Sequence, residues 1–159
     1  MPERSSRGIP RLVLAFDYGR RRIGVACGDT LSRSATPLRG LRLPDGIVPW
    51  REVDARFAEW RPAAVVVGLP YNADGTEGAL AQESRAFATQ LAERFALPVH
   101  LMDERYSSLA AAERLRGARE SGARRRRVTK SDIDAAAACV ILERWFDETD
   151  GGANAISDR

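Results

Sequence analysis

The run Ala63-Ala-Val-Val-Val-Gly-Leu69 is the feature that most limits how this chain can fold. A strand with one wet face alternates apolar and polar residues, whereas this one is apolar throughout and must be covered on both sides. Helices therefore have to lie on both faces of the sheet that contains it. The rest of the chain supplies the parts. Residues 12–17 and 23–27 read as two apolar strands joined by the hairpin-length loop Tyr18-Gly19-Arg20-Arg21-Arg22. Thr36 to Leu43 makes a third strand, ended by the turn signal Pro44-Asp45-Gly46. Val53, Phe57 and Trp60 fall at i, i+4 and i+7, which predicts a helix over 50–60, and Leu80, Phe87, Leu91 and Phe95 mark a second. Pro98 to Asp103 is the fifth strand. A further helix is expected from Ser107 through Leu115, then a basic, polar loop from Arg116 to Thr129. A last helix over Ser131 to Phe146 is apolar nearly all round, so it packs on the sheet. The fold class expected is α/β, a mixed five-stranded sheet with helices on both faces. It forms one domain over 11–147, between a disordered tail at 1–10 and a flexible, polar tail at 148–159.

Composition sets the outer limits. With 159 residues, 44% of them hydrophobic and 30% charged, the chain is long enough for one real core and ordinary enough for a soluble globular domain. No apolar stretch approaches the roughly 20 residues that span a bilayer. The start, Met-Pro-Glu-Arg-Ser-Ser-Arg-Gly, lacks the apolar segment of a secretory signal, so a cytoplasmic protein with no membrane partner is expected. Cys27 and Cys139 make no disulfide framework and are read as small core residues in a reducing compartment. Lys130 is the only lysine, so the net charge of +3 rests on arginines, and these cluster. Arg20, Arg21 and Arg22 adjoin Asp17, and Arg124, Arg125, Arg126 and Arg127 form a second run. A solvated surface accounts for such runs, as does a phosphate-binding patch, because the arginine fork matches phosphate geometry.

Four places carry chemistry. Asp17 ends an apolar strand, where an unpaired carboxylate costs several kcal/mol unless a metal or cation meets it (roughly, by transfer estimates). The loop after the buried strand, Gly68-Leu-Pro-Tyr-Asn72-Ala-Asp74-Gly75-Thr76-Glu77-Gly78, lies where open α/β sheets collect ligands. Asn72 and Asp74 suit Asx turns there, Gly75 a positive φ, and Thr76 an N-cap for the next helix, with Glu77 and Glu83 near its positive end. Asp103-Glu104-Arg105 closes the fifth strand, and Glu104 is the residue expected to approach Asp17. Asp103 serves equally if the register is shifted by one, since neighbours on a strand face opposite ways. Ser131 with Asp134 fits a capping box, yet Asp134 also stands in the first turn of a helix that is otherwise apolar, near the strand ends. Asp132 is a neighbouring alternative. His100, the lone histidine, reads as a packed strand residue. Zinc-ligand spacing, a Walker loop and a Gly-x-Gly-x-x-Gly fingerprint are all absent from the sequence. Three carboxylates beside arginine-rich loops suggest metal-assisted chemistry on a phosphate backbone.

Four segments, in order, resemble the signatures of the YqgF/RuvX family: Phe16-Asp-Tyr-Gly-Arg-Arg-Arg-Ile-Gly-Val-Ala26, Gly68 to Gly78, Asp103-Glu-Arg-Tyr-Ser-Ser108, and Asp134-Ala-Ala-Ala-Ala-Cys-Val-Ile-Leu-Glu143. The resemblance implies an RNase H-like fold, related to the Holliday-junction resolvase RuvC. It also implies a nuclease that matures the 5′ end of pre-16S ribosomal RNA, with junction resolution on branched DNA as the alternative. A non-catalytic nucleic-acid-binding module is the rival class. The actin-like ATPases share the core fold but need two such domains, and this chain has room for one. The acidic triad implied is Asp17, Glu104 and Asp134, catalytic and metal-binding. On this expectation Asp17 bridges two ions, Mg²⁺ or Mn²⁺, about 4 Å apart. Arg21, Arg22, Arg105 and the 124–127 run would neutralise nucleic-acid phosphates, and the loop through Asn72, Asp74 and Thr76 would position the strand. The partner is nucleic acid, with the protein a monomer or a homodimer.

Overall fold

The computed structural model describes residues 11–70, 72, 74–103 and 129–149, the side chain of Ser131 excepted. The expected N-terminal tail, the helix from Ser107, nearly all of the basic loop and the C-terminal tail beyond Thr149 lie outside the described residues. Five strands form one sheet: β1 (Leu12–Asp17), β2 (Arg22–Asp29), β3 (Ala35–Arg42), β4 (Ala64–Leu69) and β5 (Val99–Asp103), in the order β3-β2-β1-β4-β5. The first three pair antiparallel, as hairpin-length connections require. β4 runs parallel to both β1 and β5, each reached through a helical crossover. The helices are α1 (Trp50–Trp60), α2 (Ala79–Phe95) and α3 (Lys130–Glu148). No helix among the described residues is long and apolar enough to cross a membrane.

β4 sits inside the sheet with both faces covered, as its unbroken apolar run demands. Val65 and Val67 face one layer and Val66 the other. The first layer, under α1 and α2, is aromatic. Phe16 stacks on Phe57 with ring centroids 6.0 Å apart and meets Phe87 edge-on at 5.8 Å. Such pairs add to burial itself. The second layer uses small residues along the first half of α3 and larger ones, Trp145 and Phe146, towards its end. Val13, Ala15 and Ala26 of the sheet meet Ala138, Cys139, Ile141 and Leu142 of α3. Both cysteines are free and buried, so they act as small core residues.

Small residues let α3 approach closely, and Gly24 is where the approach is tightest. A Cβ built on Gly24 would overlap the backbone carbonyl of Asp134. Glycine is therefore required there by the helix above it, not by its own backbone angles. The start of α3 differs from the expectation at Ser131. Thr129 is the cap, extended at φ −108°, ψ 170°, and its hydroxyl accepts the Asp132 amide at 3.2 Å. The Asp132 carboxylate accepts the Thr129 amide at 2.9 Å, completing a capping box two residues upstream of the one expected. Asp134 is thereby released from capping and stands in the second turn. The helix also continues through Asp147 and Glu148, two residues past the end expected at Phe146, and Thr149 then bonds the Phe146 carbonyl at 2.8 Å.

Two substitutions test these layers by urea denaturation. Phe16→Ala empties the fully buried centre of the aromatic layer and should cost about 3–5 kcal/mol. Gly24→Ala adds a single methyl group, yet it should cost about 1–3 kcal/mol because α3 must lift off β2 to admit it.

Candidate metal and nucleic-acid site

Strand alternation and register together decide which side chains meet. Val13 and Ala15 of β1 face α3, so Asp17, two further on, takes the same face. Asp17 pairs across the strands with Gly24, and Asp134 lies over Gly24. The two carboxylates, far apart in the chain, are thus brought over one glycine. Arg22 shares that face, two residues before Gly24. Its Nε donates to Asp134 Oδ2 at 2.6 Å, and both side chains are about one-third exposed (32% and 27%). A charge-assisted bond in partial burial is among the stronger polar contacts a protein makes.

A cleft of about 350 Å³ opens beside this pair, lined by Gly19, Arg20, Arg21, Arg22, Leu80 and Asp134. It lies at the carboxyl end of β1, the end at which ligands meet open α/β sheets. Arg20 is held on its rim by a two-pronged contact with Glu83 of α2, Nε to Oε1 and Nη2 to Oε2, both at 3.0 Å. That bond holds the Glu83 carboxyl below the usual range. Glu83 therefore serves the arginine hairpin and not the α2 dipole. No sequence signal could have found this contact, because its partners are joined only by the fold. Arg21 is exposed at the cleft, and its carbonyl accepts the Leu43 amide at 2.8 Å.

The loop after β4 bonds to itself. Thr76 donates its hydroxyl to Asp74 at 2.7 Å and its amide to the same oxygen at 2.9 Å, which together hold the Asp74 carboxyl below its ordinary value. Asn72 Nδ2 reaches the Thr76 hydroxyl at 3.0 Å, and Gly75 takes φ 90°, the positive angle expected of it. Thr76 does not cap α2. Gly78 occupies the cap position without a side-chain bond, and Glu77 pairs with Arg85 at 2.6 Å. Asn72, Asp74 and Thr76 thus form one exposed, preshaped cluster.

Asp103 ends β5 opposite Leu69 and alternates with Met102, which faces α3. That alternation puts Asp103 on the aromatic side of the sheet, away from Asp17. Asp132 is engaged in the capping box. His100 packs against Trp145 with ring centroids 5.0 Å apart, in keeping with a packed strand residue. Glu104, Arg105, Arg124, Arg125, Arg126 and Arg127 lie outside the described residues. Among the described residues, no group of three or more histidine, cysteine, aspartate or glutamate side chains is placed to hold a metal ion.

The chain is similar to known proteins. The model of the RuvX family, described as Holliday junction resolvase, matches residues 11–148. A protein of Edwardsiella ictaluri (strain 93-146), named "Putative pre-16S rRNA nuclease", is 44% identical over 138 residues, covering 87% of this chain and 96% of its own. One of the same name from Azotobacter vinelandii (strain DJ / ATCC BAA-1303) is 44% identical over 144 residues, with 90% and 98% covered. Among solved structures, T. thermophilus RuvC in complex with Holliday junction substrate superposes with a TM-score of 0.55 at 21% identity, covering 92% of this chain and 99% of that one. A second Thermus thermophilus RuvC structure gives 0.52 at 20%, with 91% and 99% covered. At that identity the likeness is one of fold, and it identifies the sheet and its helices as RNase H-like. Matched along nearly its whole length by the family and by close relatives, the chain belongs to the RuvX family.

Proposed function

We propose that this protein is a divalent-metal-dependent nuclease that hydrolyses phosphodiester bonds in the 5′-end maturation of pre-16S ribosomal RNA. The observation that carries the reading is the meeting of Asp17 and Asp134 over Gly24, at the head of an arginine-lined cleft. Two carboxylates on one face, in partial burial, call for a cation. Asp134 already accepts a guanidinium at 2.6 Å, so the site is electrostatically suited to positive charge. Carboxylate oxygens are hard donors that suit Mg²⁺ or Mn²⁺. Asp17 and Asp134 would hold the metal, with Glu104 as the third carboxylate. When bound, divalent ions there supply Lewis acidity to the scissile phosphate and lower the pKa of an attacking water.

The chain's own residues do the remaining work. Asp134, carried on a capped helix seated against β2, has little freedom to drift. Arg20, braced by Glu83, presents a fixed positive edge, while Arg21 offers an exposed guanidinium to a phosphate. Arg22 meets one Asp134 oxygen through Nε, so the second oxygen could take a metal while the Nη groups of the guanidinium meet a substrate phosphate. The Asn72–Thr76 cluster, shaped by its own bonds, would orient the strand at the sheet end, as would Arg105 and the 124–127 arginines. The names of the relatives favour ribosomal RNA as the substrate. The family description favours a four-way junction, which would need two sites in a dimer.

One assay separates these outcomes: labelled precursor RNA and a four-way DNA junction, each with Mn²⁺ or EDTA, against wild type and Asp17→Asn. Metal-dependent cutting of the RNA is expected, reduced to background in Asp17→Asn, whose circular dichroism stays native. Paired symmetric nicks in the junction alone would reassign the protein as a resolvase. Wild-type cutting by Asp17→Asn would remove this carboxylate from the mechanism.

A further inference from the structure

Two described arginines outside the cleft, Arg85 and Arg94 of α2, pair with carboxylates, Glu77 at 2.6 Å and Asp54 at 2.8 Å. Those of the edge strand β3 do not. Arg39 and Arg42 are exposed, neither has an ion-pair partner among the described residues, and β3 contains no acidic residue. The register puts Arg42 directly opposite Arg22. Like charges facing each other across strands are unfavourable. Asp134 neutralises one of the two, and Arg42 keeps its charge.

The strand is also reshaped next to Arg39. Ile23 pairs with Leu41 and Val25 with Leu38, so two steps on β2 face three on β3, which is a bulge. Gly40 permits it, since a Cβ there would come within 2.9 Å of the Ile23 carbonyl. From the helical side Arg56 donates to the Gly40 carbonyl at 3.3 Å, bringing a third guanidinium to the bulge. Burial and the neighbouring Arg39 both hold the Arg56 guanidinium below its usual pKa. The end of β3 is tied to the cleft by the Leu43–Arg21 backbone bond. Positive charge thus runs from Arg21 through Arg42 to Arg39, away from the site, with no acidic residue on β3 to offset it.

We propose that the bulged edge of β3, through Arg39 and Arg42, is a phosphate track that grips the nucleic-acid backbone flanking the scissile bond. It rests on the nuclease reading above and extends the substrate path beyond the cleft. Three strand residues span about 10 Å, the axial rise of about three nucleotides of a helical strand. Edge charges have another use, since they discourage pairing with a second sheet. That use predicts no effect on nucleic-acid binding, which makes the two accounts separable.

The test is binding of a fluorescently labelled fragment of precursor ribosomal RNA to the full chain, by anisotropy in EDTA, over a salt series. The variants are Arg39→Gln/Arg42→Gln, the charge-preserving Arg39→Lys/Arg42→Lys, and Arg11→Gln. Arg11 precedes β1 at the other end of the sheet and serves as the control. Each phosphate contact contributes roughly 0.7 to 0.9 to the slope of log affinity against log salt. The glutamine pair should therefore lower that slope by about 1.4 to 1.8, while the lysine pair and Arg11→Gln retain it. An unchanged slope in the glutamine pair, with wild type binding normally, overturns the track and leaves Arg39 and Arg42 as guards of the edge. A slope that falls as expected in a protein that cuts no RNA keeps the track and removes the nuclease reading instead.

Discussion

The carbonyl of Asp134 fills the space that any side chain at Gly24 would need. Much else depends on that contact. It fixes how close the start of α3 lies to the sheet, and hence why the residues facing there are alanine, cysteine and glycine, with Trp145 and Phe146 kept to the far end of the helix. It also fixes where along β2 the helix begins, because Thr129 and Asp132 cap it only a few residues earlier. Gly24 is in turn the cross-strand partner of Asp17. One backbone approach therefore sets the separation of two carboxylates that the chain holds more than a hundred residues apart. Precision of this kind is what a reactive site needs, and a rigid helix on a strand supplies it better than a loop would.

The two layers divide the work. The α1 and α2 side buries large rings whose apolar area dominates stability. The α3 side is thin over the first half of that helix, and thinness there brings side chains from the sheet within reach of side chains from the helix. Polar chemistry collects at the end of the thin layer, where Asp17, Arg22 and Asp134 are only partly buried and a ligand can reach them. Glu83 joins the layers by holding Arg20, so the hairpin that carries the arginines is anchored to the thick side.

Much of the architecture was legible from local pattern. The unbroken apolar run at 63–69 required cover on both faces, and the spacing of Val53 and Phe57 returned α1 to the residue. Asp17 drew attention because a carboxylate at the end of an apolar strand needs an explanation. What could not be read was register. Whether Asp17 pairs with Gly24, and which face Asp103 takes, depends on a one-residue alignment between strands that no single strand encodes. Caps were misplaced for a related reason. Ser131 and Thr76 have the right chemistry for capping, but so do their neighbours, and backbone angles chose Thr129 in one case and Gly78 in the other. The Arg20–Glu83 contact has no local signature at all, because it exists only once α2 is docked.

The Arg22–Asp134 bond has a consequence for how the helix and the sheet are held together. Only the Arg22 Nε is engaged, at one of the two Asp134 oxygens. A guanidinium carries five N–H donors and a carboxylate two acceptor oxygens, so a single bond does not exhaust either group. A partly buried carboxylate left alone is costly to fold. Here the sheet carries the counter-ion and the helix the acid, so each element is held to the other by the charge it lacks.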